Sequence, residues 1–171
     1  MALTIYDAAV PVFTNALTDM RAWLDKAAVV KPEAELLAAK LTDDMRPFPA
    51  QIQMASDAAK GAVARLAGVT PPPMADTEAS LAELRDRIDR TLAFIASVDP
   101  AAVLAGDDRP IELKFPNGMG YRFTGAAFLT GFALPNFFFH ITTAYAILRA
   151  EGVPLGKSDF LAHLGQPLTD L

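Results

Sequence analysis

The chain has 171 residues, enough for one domain with a real core. Hydrophobic residues make up 52% and charged residues 20%, which excludes a disordered chain, and the lack of cysteine excludes disulfides, thiolate metal sites and cysteine nucleophiles. Fifteen basic against twenty acidic residues give a net charge of −5 with no basic patch, which argues against nucleic acid as a partner.

No basic residue precedes Arg21, so no secretory signal is read and a cytoplasmic protein is expected. Residues 3–28 carry Tyr6, Val10, Phe13, Leu17, Met20, Leu24 and Ala27 at alternating steps of four and three, one stripe of an amphipathic helix. Trp23 sits close to that stripe and is expected in the core or an interface. A second helix is expected over 32–66, opened by Pro32 with Glu33 and Glu35 in its first turn and stopped at Gly68. Pro47 and Pro49 interrupt it, which predicts a kink or short break.

Pro71-Pro72-Pro73 reads as a stiff connector. Asp76 or Thr77 is the expected cap of a third helix, whose core stripe is Leu81, Leu84, Ile88, Leu92 and Ile95. Glu83–Arg87, Arg85–Asp89 and Asp86–Arg90 are spaced for ion pairs on its solvated face. Asp99-Pro100 marks a capped turn. The period then becomes two. Residues 111–115 and 121–124 alternate around Pro116-Asn117-Gly118, which predicts a β-hairpin that needs cover from the helices or a second copy.

A fourth helix is expected over 125–151, ending at Gly152. The 26 residues between Arg122 and Arg149 hold no charge, a length that spans a bilayer. Pro135, Asn136, His140 and four threonines lie inside the run, and no other segment offers a partner span. A buried core helix is therefore expected, and no membrane. In the tail, Ser158 is the expected cap of a final turn and Lys157–Asp159 an ion pair. The whole, 1–171, reads as one all-α domain: an antiparallel four-helix bundle with a small β-hairpin before the last helix.

Chemistry concentrates on the fourth helix. Asn136, His140, Thr143 and Ile147 share one face, flanked by Phe132 and Phe139. An amide and an imidazole among phenylalanines need partners, either structural or in a ligand. The second helix offers Asp44, Phe48 and Gln51 at steps of four and three. Asp44 is a candidate to orient His140; Gln51 is a candidate partner for Asn136 or a ligand. No second histidine is certain to approach, since His163 lies in the tail and reads as exposed, and no metal motif is present. The candidate site is thus Asp44, Gln51, Asn136 and His140, with His140 the candidate general base, no metal and no cofactor. The leading reading is a small-molecule-binding protein or cryptic enzyme with a polar pocket inside the bundle, expected to form a homodimer; the alternatives are a non-catalytic homodimeric module and a divergent metalloprotein using His140 with Asp or Glu ligands.

Two runs carry a resemblance. Leu134-Pro-Asn-Phe-Phe-Phe-His-Ile-Thr-Thr-Ala-Tyr-Ala-Ile-Leu-Arg149, followed by Glu151-Gly152 and Gly156-Lys157-Ser-Asp-Phe160, is one; Asp43-Asp44-Met45-Arg-Pro-Phe-Pro-Ala-Gln51 is the other. They resemble an uncharacterised bacterial family of DUF type, a branch of the DinB/YfiT-like superfamily of four-helix bundles. The resemblance implies a bundle fold, often dimeric, over nearly the whole chain. It also implies a metal-binding histidine triad, one on the second helix and two spaced four apart on the last. Aligned on Leu148-Arg149, the later of the two is His140 and the earlier becomes Asn136. Gln51 or Met54 stands where the second helix has its histidine. Two of three ligands are replaced, so the resemblance implies a cavity and not a metal.

Overall fold

The computed structural model describes residues 2–115 and 117–166. Thr4 starts α1 (Ile5–Ala28) through a capping box: its hydroxyl accepts the Asp7 N–H at 3.1 Å, and the Asp7 carboxylate accepts the Thr4 N–H at 3.1 Å. Phe13, Leu17, Met20, Leu24 and Ala27 are buried along its stripe, and Trp23 joins them at 1% exposure. Pro11 lies on the exposed side, where its ring crowds only the first turns.

The expected second helix is two helices. Pro32 and the acidic first turn open α2 (Glu33–Ala38); residues 39–47 are irregular; α3 (Phe48–Ala67) then begins after Pro47, with Pro49 in its first turn. A proline without an N–H is tolerated where that donor has no helical partner, so these prolines start a helix instead of kinking one. Gly68, at φ 72°, ends α3 in the left-handed conformation that a side chain disfavours, and its neighbour Val69 donates back to the Ala64 carbonyl at 2.9 Å.

Ser80, and neither Asp76 nor Thr77, caps α4 (Leu81–Ser97): its hydroxyl accepts the Glu83 N–H at 3.1 Å, while Glu83 accepts from Ala79. Asp99 caps α5 (Pro100–Leu104). Strands β1 (Ile111–Lys114) and β2 (Gly120–Phe123) pair antiparallel, with Ile111 opposite Phe123 and Lys114 opposite Gly120. Ile111 and Leu113 turn inward, which gives this otherwise marginal hairpin its hold on the bundle. Pro116 of the expected turn lies outside the described residues.

The uncharged run is α6 (Gly125–Phe128), a π-helical turn over Leu129–Ala133, and α7 (Leu134–Ala150). Pro135 has no N–H for the carbonyl four residues back, and its ring would strike that carbonyl; the wider turn ahead of it relieves both. The run is long and apolar enough to cross a membrane. Its inner face packs instead against α3 and α1. Phe137, Ile141, Ala144 and Leu148 are 0–1% exposed there, and Phe137 meets Phe13 edge-on at 4.8 Å between ring centres.

α1, α3, α4 and α7 are the four long helices, α3 packing against α7 and α4, and α1 against α4. One cluster of buried side chains draws on all of them and on Leu36, Val103, Ile111 and Leu113. The tail forms α8 (Lys157–Phe160) and a 3-10 turn over Ala162–Leu164.

Several expected ion pairs are rearranged. Arg87, read as a surface partner of Glu83, is fully buried and binds Glu78, Asp76 and Asp57 at 2.9, 2.9 and 3.1 Å. Arg85 pairs with Asp25 instead of Asp89, and Asp89 takes Arg21 at 2.6 Å. Only Asp86–Arg90 forms as spaced, at 2.8 Å. Tertiary partners win because an exposed i,i+4 pair is worth only about 0.3–0.5 kcal/mol. Asp159 pairs with Lys26 at 2.5 Å instead of Lys157, and the α8 cap is Gly156, whose N–H reaches Asp159, instead of Ser158.

Candidate functional site

His140 lies on the inner face of α7, 8% exposed, and its Nδ1 is 2.9 Å from Gln51 Oε1 on α3. Gln51 is 1% exposed, and its Nε2 donates to the Arg46 carbonyl at 3.0 Å. A carbonyl only accepts, so the Gln51 amide has one orientation: nitrogen to Arg46, oxygen to His140. The ring hydrogen therefore sits on Nδ1, and Nε2 keeps the lone pair. Burial lowers the His140 pKa from 6.5, which keeps the ring neutral at pH 7.

A cleft of about 350 Å³ opens beside this pair. α3 supplies Met54, Asp57, Ala58 and Arg65, residues that recur along one side of the helix. Ala133, Asn136 and His140 come from the uncharged run, with Phe132 and Phe128 one and two turns before Asn136. Leu113, Lys114 and Phe115 of the hairpin form the remaining wall. The lining is mixed: seven apolar residues against Asp57, Arg65, Lys114, Asn136 and His140.

The four sequence candidates divide. His140 and the half-buried Asn136 line the cleft. Gln51 does not; it stands behind His140 and fixes its tautomer, the role expected of Asp44. Asp44 lies exposed in the 39–47 segment and is not among the lining residues. The four–three spacing that put it on a face with Gln51 needs a continuous helix, which the prolines break. Thr143, on the same face of α7, gives its hydroxyl to the Phe139 carbonyl at 2.7 Å and so is spent on the backbone.

Sequence reasoning missed Arg65. Its Nη1 donates to the Gly61 carbonyl at 2.9 Å, and its guanidinium carbon lies 6.0 Å from the Phe128 ring centre. Arg65 is exposed as a whole residue, and partial burial of its guanidinium lowers its pKa from the usual arginine value while leaving it a cation. The signal was Gly61, a glycine in a helix interior, four residues earlier.

The superfamily's metal can be tested on the donors present. The equivalent positions offer one imidazole, the Asn136 carboxamide and Gln51 or Met54. The His140 Nδ1 is engaged by Gln51, and neutral amides and a thioether are weak ligands for zinc-like ions. No group of three or more His, Asp or Glu placed to hold a metal ion gathers among the described residues. This donor set does not fit a divalent metal.

The two-stranded insert, the four long helices and a cleft between the second and last of them define a DinB-like bundle. A DinB family member protein from Shewanella denitrificans, solved by crystallography, superposes with a TM-score of 0.84 at 37% identity, covering 95% of this chain and 94% of that one. Residues 5–161 match the family described as a domain of unknown function, DUF1993, and the chain belongs to it. Curated protein sequences gave no match.

Proposed function

We propose that this protein binds a small organic molecule in the cleft between α3, α7 and the hairpin, without a metal, with His140 Nε2 as the proton acceptor at its floor. The observation that carries this is the buried chain Arg46 carbonyl–Gln51–His140. It holds a neutral imidazole in one tautomer beside an open cleft, at a desolvation cost that a purely apolar core avoids. If the bound molecule reacts, His140 is the general base. We place the protein in the cytoplasm on this reading; the run of membrane length among the described residues has its inner face packed on α3 and α1.

The test is a metabolite thermal-shift screen on the wild type and His140→Ala. A compound that raises the wild-type Tm by mass action and leaves the variant unmoved supports the reading. A screen without hits, in a variant as stable as the wild type, removes it.

A second reading, a homodimeric interaction module, is favoured by the outer face of the last helical run. Gly131, Pro135, Phe139 and Thr142 form an uncharged exposed stripe, with Phe139 at 55% exposure. Sedimentation of the wild type and Phe139→Lys tests it: a dimer that the substitution dissociates supports it, and a monomer at micromolar concentration ends it.

A further inference from the structure

Two polar groups of the cleft are held from behind by buried partners, and both are hydrogen-bond acceptors. One is His140, whose Nδ1 is taken by Gln51 and whose Nε2 has no partner among the described residues. The other is Asp57. Lys60 Nζ lies 3.0 Å from its Oδ1 and Arg87 Nη2 lies 3.1 Å from the same oxygen, and those two side chains are 7% and 0% exposed. No described residue donates a hydrogen bond to Oδ2, and the Asp57 side chain is 45% exposed where it lines the cleft.

Lysine is almost never fully buried unless it is paired. Asp57 is the carboxylate partner of Lys60 among the described residues, one turn away on α3, whereas Arg87 has Glu78 and Asp76 besides. Two cations on one oxygen hold the carboxylate back against α3 and α4 and leave the other oxygen to the cleft. Arg65 and Lys114 line the same cleft as exposed cations. A charged ligand therefore gains little. The Asp57 charge is already answered by Lys60 and Arg87, and exposed cations are screened by water. An acid also brings like charge to Asp57, and an amine brings it to Arg65 and Lys114. What the two held groups offer is acceptance of hydrogen bonds, and the neutral group that donates and accepts alike is a hydroxyl.

We propose that the cleft takes a neutral cyclic polyol of monosaccharide size, with hydroxyls donating to Asp57 Oδ2 and His140 Nε2 and its C–H face against Met54 and Phe132. This deepens the binding reading of the preceding section and rests on it. Asn136, half-buried and without a side-chain partner among the described residues, both donates to and accepts from a further hydroxyl. At about 350 Å³ the cleft is at the small end of ligand sites, which suits a single ring. Lys60 and Arg87 are positioning residues, since they act on the ligand through Asp57.

The experiment titrates the methyl glycosides of glucose, galactose and mannose, each with its uronic acid and its 6-amino-6-deoxy analogue. Each trio differs only at C6, as alcohol, anion and cation. Binding is read by NMR up to about 10 mM ligand, on the wild type, Asp57→Asn, Lys60→Met and, as a carboxylate outside the cleft, Asp108→Asn. The expected result is a neutral glycoside bound about threefold or more tighter than its acid and its amine. Asp57→Asn should weaken the neutral ring about three- to tenfold and remove the handicap of the acid. Lys60→Met leaves the Asp57 charge less compensated and should raise the amine relative to the neutral ring. Asp108→Asn should change nothing. These ratios are read within one variant, so a general loss of stability does not imitate them. An acid or amine bound as tightly as the neutral ring in the wild type, or a preference that survives Asp57→Asn, would overturn the assignment while the cleft stands. No binding by any of the nine overturns the inference, and the broader thermal-shift screen then decides separately whether the cleft binds anything.

Discussion

His140 Nδ1 and Gln51 Oε1 meet at 2.9 Å across 89 residues of chain, joining α7 to α3 through a single buried hydrogen bond. The bond is neutral on both sides. A carboxylate at position 51 would have drawn the ring toward its charged form; an amide leaves it uncharged and able to accept a proton.

The pH dependence of stability follows from this. Burial lowers the folded pKa of His140 below the unfolded value near 6.5. The unfolded chain then binds the proton more tightly, so stability is full above about pH 6.5 and is lost as the pH falls toward the folded pKa. Denaturant unfolding between about pH 5 and 8 should show a slope that flattens in His140→Phe. Gln51→Glu should move the ring pKa upward, read by NMR titration. Gln51→Leu should cost about 1–3 kcal/mol by leaving Nδ1–H without its acceptor.

Arg87 clamps the 68–80 connector to the bundle. Its guanidinium is 0% exposed and holds Glu78, Asp76 and Asp57, together with the Ala75 carbonyl at 3.0 Å. Burial works against the Glu78 charge, but hydrogen bonds from Gln53 and Arg87, with the Arg87 charge, outweigh it and hold the carboxyl below its usual range. Its contribution is present above about pH 4.5 and lost as the pH falls through the folded value. Arg87→Met alone should destabilise by about 3–5 kcal/mol in urea unfolding. Glu78→Gln should flatten the acid limb.

The tail is fastened by Asp19. This carboxylate, 3% exposed on α1, accepts the His163 backbone N–H at 3.0 Å and its ring Nδ1 at 2.6 Å. Trp23 Nε1–H donates to the Asp159 carbonyl at 3.0 Å, and its indole stacks on Phe160 at 5.5 Å. Asp19→Ala should release residues 157–166, read as faster proteolysis there and a red-shifted emission of the single tryptophan. The expected loss is about 1–3 kcal/mol.

Metal content is the fourth prediction. Protein prepared without a metal-affinity column should carry far less than one equivalent of zinc, nickel, manganese or iron by elemental analysis. Added zinc or nickel should not raise its Tm. Restoring histidine at Asn136 and at Gln51 or Met54 should create affinity, read as a metal-dependent rise in Tm.

The long stripes were legible because hydrophobic spacing is a property of the helix itself: Phe13 to Ala27 on α1 and Leu81 to Ile95 on α4. The hairpin was legible because its period changes to two. Asp44 was misplaced because a proline reads alike as a kink or as a start. Only the packing of Leu36, Ala39 and Phe48 into one core shows that 40–47 loops out between them. Arg87 was misread because its partners, Glu78 and Asp57, arrive from a connector and another helix, while spacing reveals only neighbours on its own. Arg65 left no pattern beyond a glycine one turn away.

The hairpin divides its residues between two tasks. Ile111 and Leu113 anchor it in the core, whereas Glu112 and Lys114 stay outside, and Phe115 stands at the rim of the cleft. Leu113 serves both, since it is buried in the core and also lines the cleft. Lys114 and Phe115 are the cleft-lining hairpin residues outside the core cluster. Substitutions at these two positions reshape the wall of the cleft while leaving the Gln51–His140 pair and the packing of the helices in place.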